Sequence, residues 1–113
     1  MCGFIGKFSN EKINQEGIFQ ANKHTICRGP DQLRHHEGST RDSFYSLIFN
    51  RLSILDLTDN ASQPMVDEFG NILMFNGEVY NHRDLRSYLE NKSIQFKSSH
   101  SDTEVILHGI RVL

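Results

Sequence analysis

The dipeptide Asn76-Gly77 restricts the fold of this chain more than any other local feature. It lies between two segments of extended character, residues 71–75 and 78–80. An Asn-Gly pair in that setting favours a type I′ turn that joins two antiparallel strands. We therefore predict a β-hairpin at this position, followed at Asn81 by the N-cap of a helix.

The first half of the chain predicts a second pair of strands. Residues 33–36 and 44–49 have the composition of strands and flank a polar turn that contains Gly38. A helix is predicted over 11–25, and the sequence Arg28-Gly29-Pro30-Asp31 ends it, because proline disfavours helical geometry in the residue before it. The other predicted elements of this half are a strand with Phe4, Ile5 and Phe8, an extended apolar segment over 51–57 and a loop over 58–64.

The end of the chain predicts two helices with a short strand, 94–96, between them. Residues 101–104, Ser-Asp-Thr-Glu, match a capping box and open the second helix. Strands joined by hairpins, with helices among them, favour an α+β fold in which helices pack on an antiparallel sheet. The predicted apolar faces consist of Leu85, Tyr88 and Leu89 in the first helix and Ile106, Ile110 and Leu113 in the second.

Composition excludes several classes of protein. The chain has 113 residues, 37% of them hydrophobic, which is typical of one small globular domain or a piece of one. Its net charge of −2 disfavours a nucleic-acid binder that relies on phosphate contacts. No apolar run is long enough to predict a membrane span, and two cysteines do not make a disulfide framework. We therefore expect a cytoplasmic protein.

Cys2 is the first candidate catalytic residue. Initiator methionine is removed when the second residue is small, so removal of Met1 would make Cys2 the N-terminal residue. A terminal cysteine carries a thiol and an α-amine, and the amine can act as the base for its own thiol. Taken alone, Cys2 is better interpreted as an ordinary small residue, so the catalytic interpretation depends on its context.

Six short motifs give Cys2 its context, and they occur in the order found in one enzyme family. Each motif is weak alone, but six in register over the whole chain are specific. They are Met1-Cys2-Gly3-Phe4-Ile5-Gly6, Arg28-Gly29-Pro30-Asp31, Arg51-Leu52-Ser53-Ile54-Leu55-Asp56, Gln63-Pro64-Met65, Asn76-Gly77-Glu78-Val79-Tyr80-Asn81 and Ser101-Asp102-Thr103-Glu104. On these residues the chain resembles the class II glutamine amidotransferases, which are N-terminal-nucleophile hydrolases, and within them the asparagine synthetase-like branch.

The resemblance implies a catalytic set of three residues. Cys2 would attack the side-chain amide of L-glutamine, and the Asn76 side-chain amide and the Gly77 N–H would form the oxyanion hole. The reaction needs such donors, because thiolate attack places negative charge on the amide oxygen. Without the resemblance, Asn76-Gly77 is interpreted as a turn, and the two interpretations are compatible.

The resemblance also implies a substrate-binding set. Arg51 would bind the α-carboxylate of glutamine, and Asp102, with Glu78 and the Gly77 carbonyl nearby, would bind its α-ammonium group. From the residues alone, Arg51 could be a solvated charge at a strand end and Asp102 an ordinary first-turn residue of a helix. The implied substrate-binding residues are Arg51, Leu52, Ser53, Ile54, Leu55, Asn76, Gly77, Glu78 and Asp102.

The implied fold is α+β, an αββα sandwich of antiparallel sheets of the N-terminal-nucleophile hydrolase type. Residues 1–113 would be a truncated, N-terminal portion of that domain. We expect no cofactor for the glutaminase part, whereas ATP and Mg belong to the synthetase domain of relatives, which would amidate aspartate or a similar carboxylate. The expected partners are L-glutamine, that synthetase domain and a second copy in a homodimer, with neither nucleic acid nor membrane.

Two other functions stay open at this point. The chain could be a non-catalytic domain for glutamine sensing or protein contacts, or an amidotransferase for a sugar or natural-product acceptor. It also departs from the family at two places, with Cys27 where a histidine is usual and Phe49-Asn50 where His-Glu is common. A metal site at His24 and Cys27 would lack further ligands, so we expect none.

Overall fold

A computed structural model describes residues 2–53 and 58–112 of the chain. The chain divides into two compact units, a first unit of residues 1–53 and a second unit of residues 54–113. Both contain antiparallel strand pairs together with helices, so the α+β class predicted from the sequence is confirmed. No helix within the described ranges has the length and apolar character needed to cross a membrane.

The first unit contains a three-stranded antiparallel sheet. Its strands are β1 (Gly3–Ser9), β2 (Gln32–Ser39) and β3 (Phe44–Arg51), and β3 lies in the centre. The central strand has neighbours on both edges, and its residues from Ser46 onward are buried. The predicted strands at 33–36 and 44–49 are therefore confirmed, each with longer bounds.

The hairpin between β2 and β3 turns later than predicted. Gly38 lies inside β2, where it pairs with Tyr45, and the turn falls at Thr40–Ser43, where Thr40 N donates to Ser43 O. A Cβ at Gly38 would lie 2.7 Å from Cζ of Tyr45. Gly38 thus makes room for an aromatic ring on the neighbouring strand, which explains why a glycine signal did not mark the turn.

One face of this sheet is covered by helix α1 (Gln15–Asn22). The helix begins later than predicted because Asn14 is its N-cap and accepts a hydrogen bond from Glu16 N at 3.0 Å. The Ser46 hydroxyl donates to Gln15 Oε1 at 2.7 Å, and Ile18 is buried. A short 3-10 helix, Ile26–Arg28, follows α1 and leads the chain to β2.

The hairpin of the second unit does not use Asn76-Gly77, so that prediction is wrong. The paired strands are β4 (Met65–Val66) and β5 (Ile72–Leu73), and residues 78–80, which the structure describes, form no strand. The turn between β4 and β5 is built by Asp67, whose carboxylate accepts from Phe69 N, Asn71 N and Asn71 Nδ2 at 2.8–2.9 Å. Gly70 supplies the left-handed backbone with φ of +82°.

Two helices complete the second unit, α2 (His82–Asn91) and α3 (Asp102–Val112). Asn81 occupies the predicted N-cap position of α2, but its side chain makes no capping hydrogen bond within the described chain; Leu89 is fully buried. The predicted strand at 94–96 is absent from this described stretch, because Ser93 adopts φ of +65° and Ile94 N donates back to Leu89 O. The helix end is therefore extended by a turn rather than by a strand.

The face that α3 buries differs from the predicted one. Ile110 is 75% exposed, whereas Val105 and Leu107 are buried together with the polar residues Glu104 and His108. Glu104 accepts hydrogen bonds from Lys97 N and Ser98 N at 2.7 and 2.8 Å. This buried carboxylate sets the orientation of the helix, which a count of apolar residues does not reveal. Leu113 lies outside the described residues.

Candidate active site

Cys2 immediately precedes β1 and is half-buried against the chain that leaves β3. Its Sγ accepts a hydrogen bond from Leu52 N at 3.3 Å, and the thiol donates to Leu52 O at 3.7 Å. The register of the sheet, in which Gly3 pairs with Asn50, brings these two positions together. The N–H of Leu52 can go on donating to this sulfur after the thiol loses its proton and becomes a thiolate.

The loop Arg28–Asp31 forms hydrogen bonds on both sides of this contact. Arg28 Nε donates to Cys2 O at 3.2 Å, Asp31 N donates to Arg51 O at 3.1 Å, and Ser53 N donates to Asp31 Oδ2 at 2.7 Å. Two of the loop's four residues, Arg28 and Asp31, therefore hydrogen-bond to residues of the site. The sequence analysis used this motif to end a helix and assigned it no role in the site, although its charged residues were the available signal.

Gly29, the second residue of that loop, lies directly against β3. A Cβ at Gly29 would overlap the carbonyl oxygen of Asn50 and lie 2.7 Å from Arg51 N. Only a residue without a side chain fits this approach of two backbones. The glycine is therefore required for the loop to reach the end of β3.

Asn50 and its partners form a buried polar cluster beneath the same strand end. Asn50 Nδ2 donates to Asn22 Oδ1 at 2.6 Å and to Thr25 Oγ1 at 3.1 Å, and Asn22 Nδ2 donates back to Asn50 Oδ1 at 3.3 Å. Asn50 lies at one of the two places where the chain departs from the family that it resembles. Its side chain is fully buried with partners on α1 and the turn that follows, while Cys27, at the other departure, is exposed.

Arg51 ends β3 and is buried, whereas Leu52 and Ser53 are half-buried beside Cys2. A guanidinium group suits a planar anion such as a carboxylate. The first unit thus brings together Cys2, Arg51, Leu52 and Ser53 of the predicted set. Ile54 and Leu55, also in that set, lie outside the described residues, as does Met1.

The remaining predicted residues lie in the second unit. Asn76, Gly77 and Glu78 form an exposed segment of chain, with their polar groups accessible. Asp102 opens α3, is 7% exposed, and accepts a hydrogen bond from Val79 N through Oδ2 at 3.0 Å. The structure therefore places Asp102 directly beside the Asn76–Glu78 segment.

Phe75 and Gly77 are in close contact at the start of that segment. A Cβ at Gly77 would lie 2.6 Å from Cζ of Phe75, so the ring occupies the space that a side chain would need. The main chain of Phe75 is in turn hydrogen-bonded by the side chain of Gln63. Gln63 is part of a motif that the sequence singled out without a role.

Metal ligation finds no support in the described part of the chain. No three histidine, cysteine, aspartate or glutamate side chains come together there in a way that could hold a metal ion. The carboxyl group of Asp67, in the β4–β5 turn, has a pKa that departs from its ordinary value. Burial raises the pKa of Asp67, but hydrogen bonds from Asn71 and Phe69 outweigh it, and the net pKa is lowered.

Comparison with known proteins identifies the family. The glutamine amidotransferase domain family matches residues 1–112. The chain is 40% identical to asparagine synthetase [glutamine-hydrolyzing] 1 of Bacillus subtilis (strain 168), covering 98% of this chain and 18% of that protein. It is 46% identical to asparagine synthetase [glutamine-hydrolyzing] 2 of the same organism, with 96% and 14% covered.

A plant protein is also similar. Asparagine synthetase [glutamine-hydrolyzing] 3 of Arabidopsis thaliana is 37% identical to the chain, over 96% of this chain and 18% of that protein. The chain thus spans less than a fifth of the length of these relatives. Because the family matches the chain almost from end to end, the chain belongs to the glutamine amidotransferase domain family.

Proposed function

We propose that this chain is the glutaminase part of an asparagine synthetase-like amidotransferase and hydrolyses L-glutamine to glutamate and ammonia. The observation that carries the proposal is the position of Cys2, whose sulfur is held by Leu52 N–H beside the buried Arg51. A nucleophile next to a carboxylate-binding cation is what a reaction on a free amino acid requires. Membership of the glutamine amidotransferase domain family supports the same substrate.

The proposed reaction begins after removal of Met1. The α-amine of Cys2 takes the proton of its thiol, and the thiolate attacks the side-chain amide carbon of glutamine. The C–S bond forms while the carbonyl π pair moves to oxygen, where the Asn76 amide and the Gly77 N–H stabilise the charge. The oxyanion then collapses, the α-ammonium group protonates the departing nitrogen, and ammonia leaves a γ-glutamyl thioester. Water hydrolyses the thioester to glutamate and restores the thiol.

Substrate selection would depend on two charges. Arg51 would bind the α-carboxylate of glutamine, and Asp102, with Glu78, would bind the α-ammonium group. Asp102 already accepts a hydrogen bond from Val79 N through one oxygen, which fixes its carboxylate. A site with one cation and one anion favours a free amino acid over a glutamine residue within a peptide.

For the whole protein we propose the activity named for the relatives. Ammonia would pass to a synthetase domain that uses ATP and Mg to amidate aspartate or a similar carboxylate, in the cytoplasm. The glutaminase part would then adopt the αββα sandwich of N-terminal-nucleophile hydrolases, to which residues 1–113 contribute the first portion. No catalytic step of this chain is assigned to ATP or Mg, and the homodimer stays a prediction.

The test is release of glutamate from L-glutamine by the wild type, Cys2→Ala and Cys27→Ser. Cys27 is a matched control, because it is the other free cysteine and is exposed. Cys2→Ala should lower kcat by at least about 1000-fold, since it removes the nucleophile, while Cys27→Ser should retain activity. Retained activity in Cys2→Ala would contradict the mechanism. Glutamine binding without turnover by the wild type would favour the non-catalytic sensing function instead.

A further inference from the structure

The side chain of Gln63 forms an unusual pair of bonds within the second unit. Gln63 lies in the loop between the 3-10 helix Asp59–Ala61 and β4, and it is 7% exposed. Its Oε1 accepts from Phe75 N at 2.6 Å, and its Nε2 donates to Phe75 O at 3.1 Å. The amide thus pairs with both main-chain groups of one residue, as a neighbouring strand does in a sheet. These two hydrogen bonds fix the main chain of Phe75, although Phe75 is not part of a strand.

Phe75 controls the position of the exposed segment that follows it. It is bonded to Asn76, and its ring fills the space beside Gly77, 2.6 Å from where a Cβ would lie. At the other end of the segment, Val79 N is held by Asp102. The segment is therefore anchored on both sides by buried side chains, Gln63 and Asp102, although its own residues are exposed.

Gln63 also connects the two anchors. Its Nε2 donates a further hydrogen bond to Thr103 Oγ1 at 3.2 Å, and Thr103 is adjacent to Asp102 at the start of α3. A buried amide with partners on every polar atom holds one orientation, because rotation would leave groups unpaired. One side chain therefore links the Asn76–Gly77 segment to the first turn of α3.

We infer that Gln63 is a positioning residue that aligns the Asn76 amide and the Gly77 N–H with the oxyanion of the tetrahedral intermediate. The inference rests on the proposed function, since the oxyanion donors belong to it. Stabilisation by these donors is greatest in the transition state, so their misalignment lowers kcat more than it changes KM. A misplacement of about 1 Å can cost about 100-fold in rate, and we expect a 10- to 100-fold loss.

The experiment compares Gln63→Met with Asn60→Ala in the active protein. Methionine matches glutamine in length and keeps the buried volume, but makes neither bond to Phe75. Asn60 is the matched control, because its amide donates to Lys97 O at 3.2 Å from an exposed position close to Gln63 in sequence. The readouts are kcat and KM for glutamine, and the inhibition constant of glutamate γ-semialdehyde, whose aldehyde forms a tetrahedral adduct with a thiolate.

The expected result is specific to transition-state alignment. Gln63→Met should lower kcat 10- to 100-fold, raise the inhibition constant of the aldehyde by a similar factor and leave KM within about threefold. Asn60→Ala should match the wild type in all three quantities. If Gln63→Met does not fold, Gln63→Glu replaces it, because it keeps the acceptor for Phe75 N–H but opposes a carboxylate to Phe75 O.

Two results would overturn the inference. The first is that the Gln63 variants turn over glutamine at the rate of the wild type, while the wild-type activity still depends on Cys2. This result leaves the proposed function standing. The second is an increase in KM at unchanged kcat, which would assign Gln63 to ground-state binding. A wild type without Cys2-dependent glutaminase activity would instead overturn the proposed function and this assignment together.

Discussion

The two units position their candidate residues by different means. In the first unit, Cys2 and Arg51 are positioned by strand register and by hydrogen bonds from the loop Arg28–Asp31, in which the Arg28 side chain donates to Cys2 O and Asp31 N donates to Arg51 O. In the second unit, Asn76, Gly77 and Asp102 lie outside the strands, and buried polar side chains fix the chain around them. We therefore expect the first unit to be most sensitive where two backbones meet, as at Gly29, and the second unit to be most sensitive at its buried polar side chains.

The largest effect is expected for Glu104→Ala in the second unit. The carboxylate of Glu104 accepts from Lys97 N, Ser98 N and the Ser98 hydroxyl, and it is almost fully buried. Its removal leaves buried N–H groups unpaired, so we expect the free energy of unfolding to fall by about 3–5 kcal/mol. Urea unfolding followed by circular dichroism measures the change.

Glu90→Ala is the control for this variant. Glu90 is an exposed carboxylate in the same unit and pairs with the Arg86 side chain at 3.0 Å. An exposed pair of this kind contributes about 0.3–0.5 kcal/mol. Equal losses in the two variants would show that buried carboxylates are not what stabilises the second unit.

The backbone contact of the first unit is tested by Gly29→Ala and Gly17→Ala. A Cβ at Gly29 would overlap the carbonyl of Asn50, whereas nothing lies within 4 Å of a Cβ at Gly17 in α1. We expect Gly29→Ala to cost about 1–3 kcal/mol of unfolding free energy through overpacking. Gly17→Ala should stabilise the protein by about 0.5–1 kcal/mol, because it restricts the unfolded chain. Thermal unfolding of both variants measures these changes. An unchanged free energy of unfolding in Gly29→Ala would contradict the close approach of the loop to β3.

The smallest expected effect concerns the pH dependence of the β4–β5 turn. Hydrogen bonds from Asn71 and Phe69 outweigh the effect of burial and hold the pKa of Asp67 below its usual 3.8 in the folded protein. The stabilisation is therefore complete well above 3.8 and is lost as the pH falls through the lowered folded value. We expect Asp67→Ala to cost about 1 kcal/mol at pH 7 and less near pH 3. Urea unfolding at both pH values measures this, and a cost independent of pH would be the contrary result.

The contrast between the units also explains which predictions succeeded. Local signals identified the strands at 33–36 and 44–49 and the helix starts at Asn81 and Ser101, since strand composition and capping act over a few residues. Of these elements, the strand at 44–49 leads into the buried Arg51 of the first unit. The capping box is half formed, with Glu104 N donating to Ser101 Oγ at 3.4 Å.

The failures involve polar side chains that hydrogen-bond to the main chain. The hairpin forms at Asp67 rather than at Asn76-Gly77, because three hydrogen bonds to one carboxylate stabilise the earlier turn. The buried face of α3 includes Glu104 and His108, which an apolar pattern cannot predict. Gln63 bonds to Phe75 across twelve positions, so no local rule connects it to the site.

The central claim is that Cys2 is an active nucleophile in a formed glutamine site. Intact mass spectrometry before and after treatment with 6-diazo-5-oxo-norleucine, a glutamine analogue with an electrophilic carbon, tests it most directly. The account predicts loss of Met1, one adduct that peptide mapping places on Cys2, and protection by L-glutamine, with Cys27 unmodified. Retention of Met1 with no adduct, or an adduct on Cys27 alone, would contradict it.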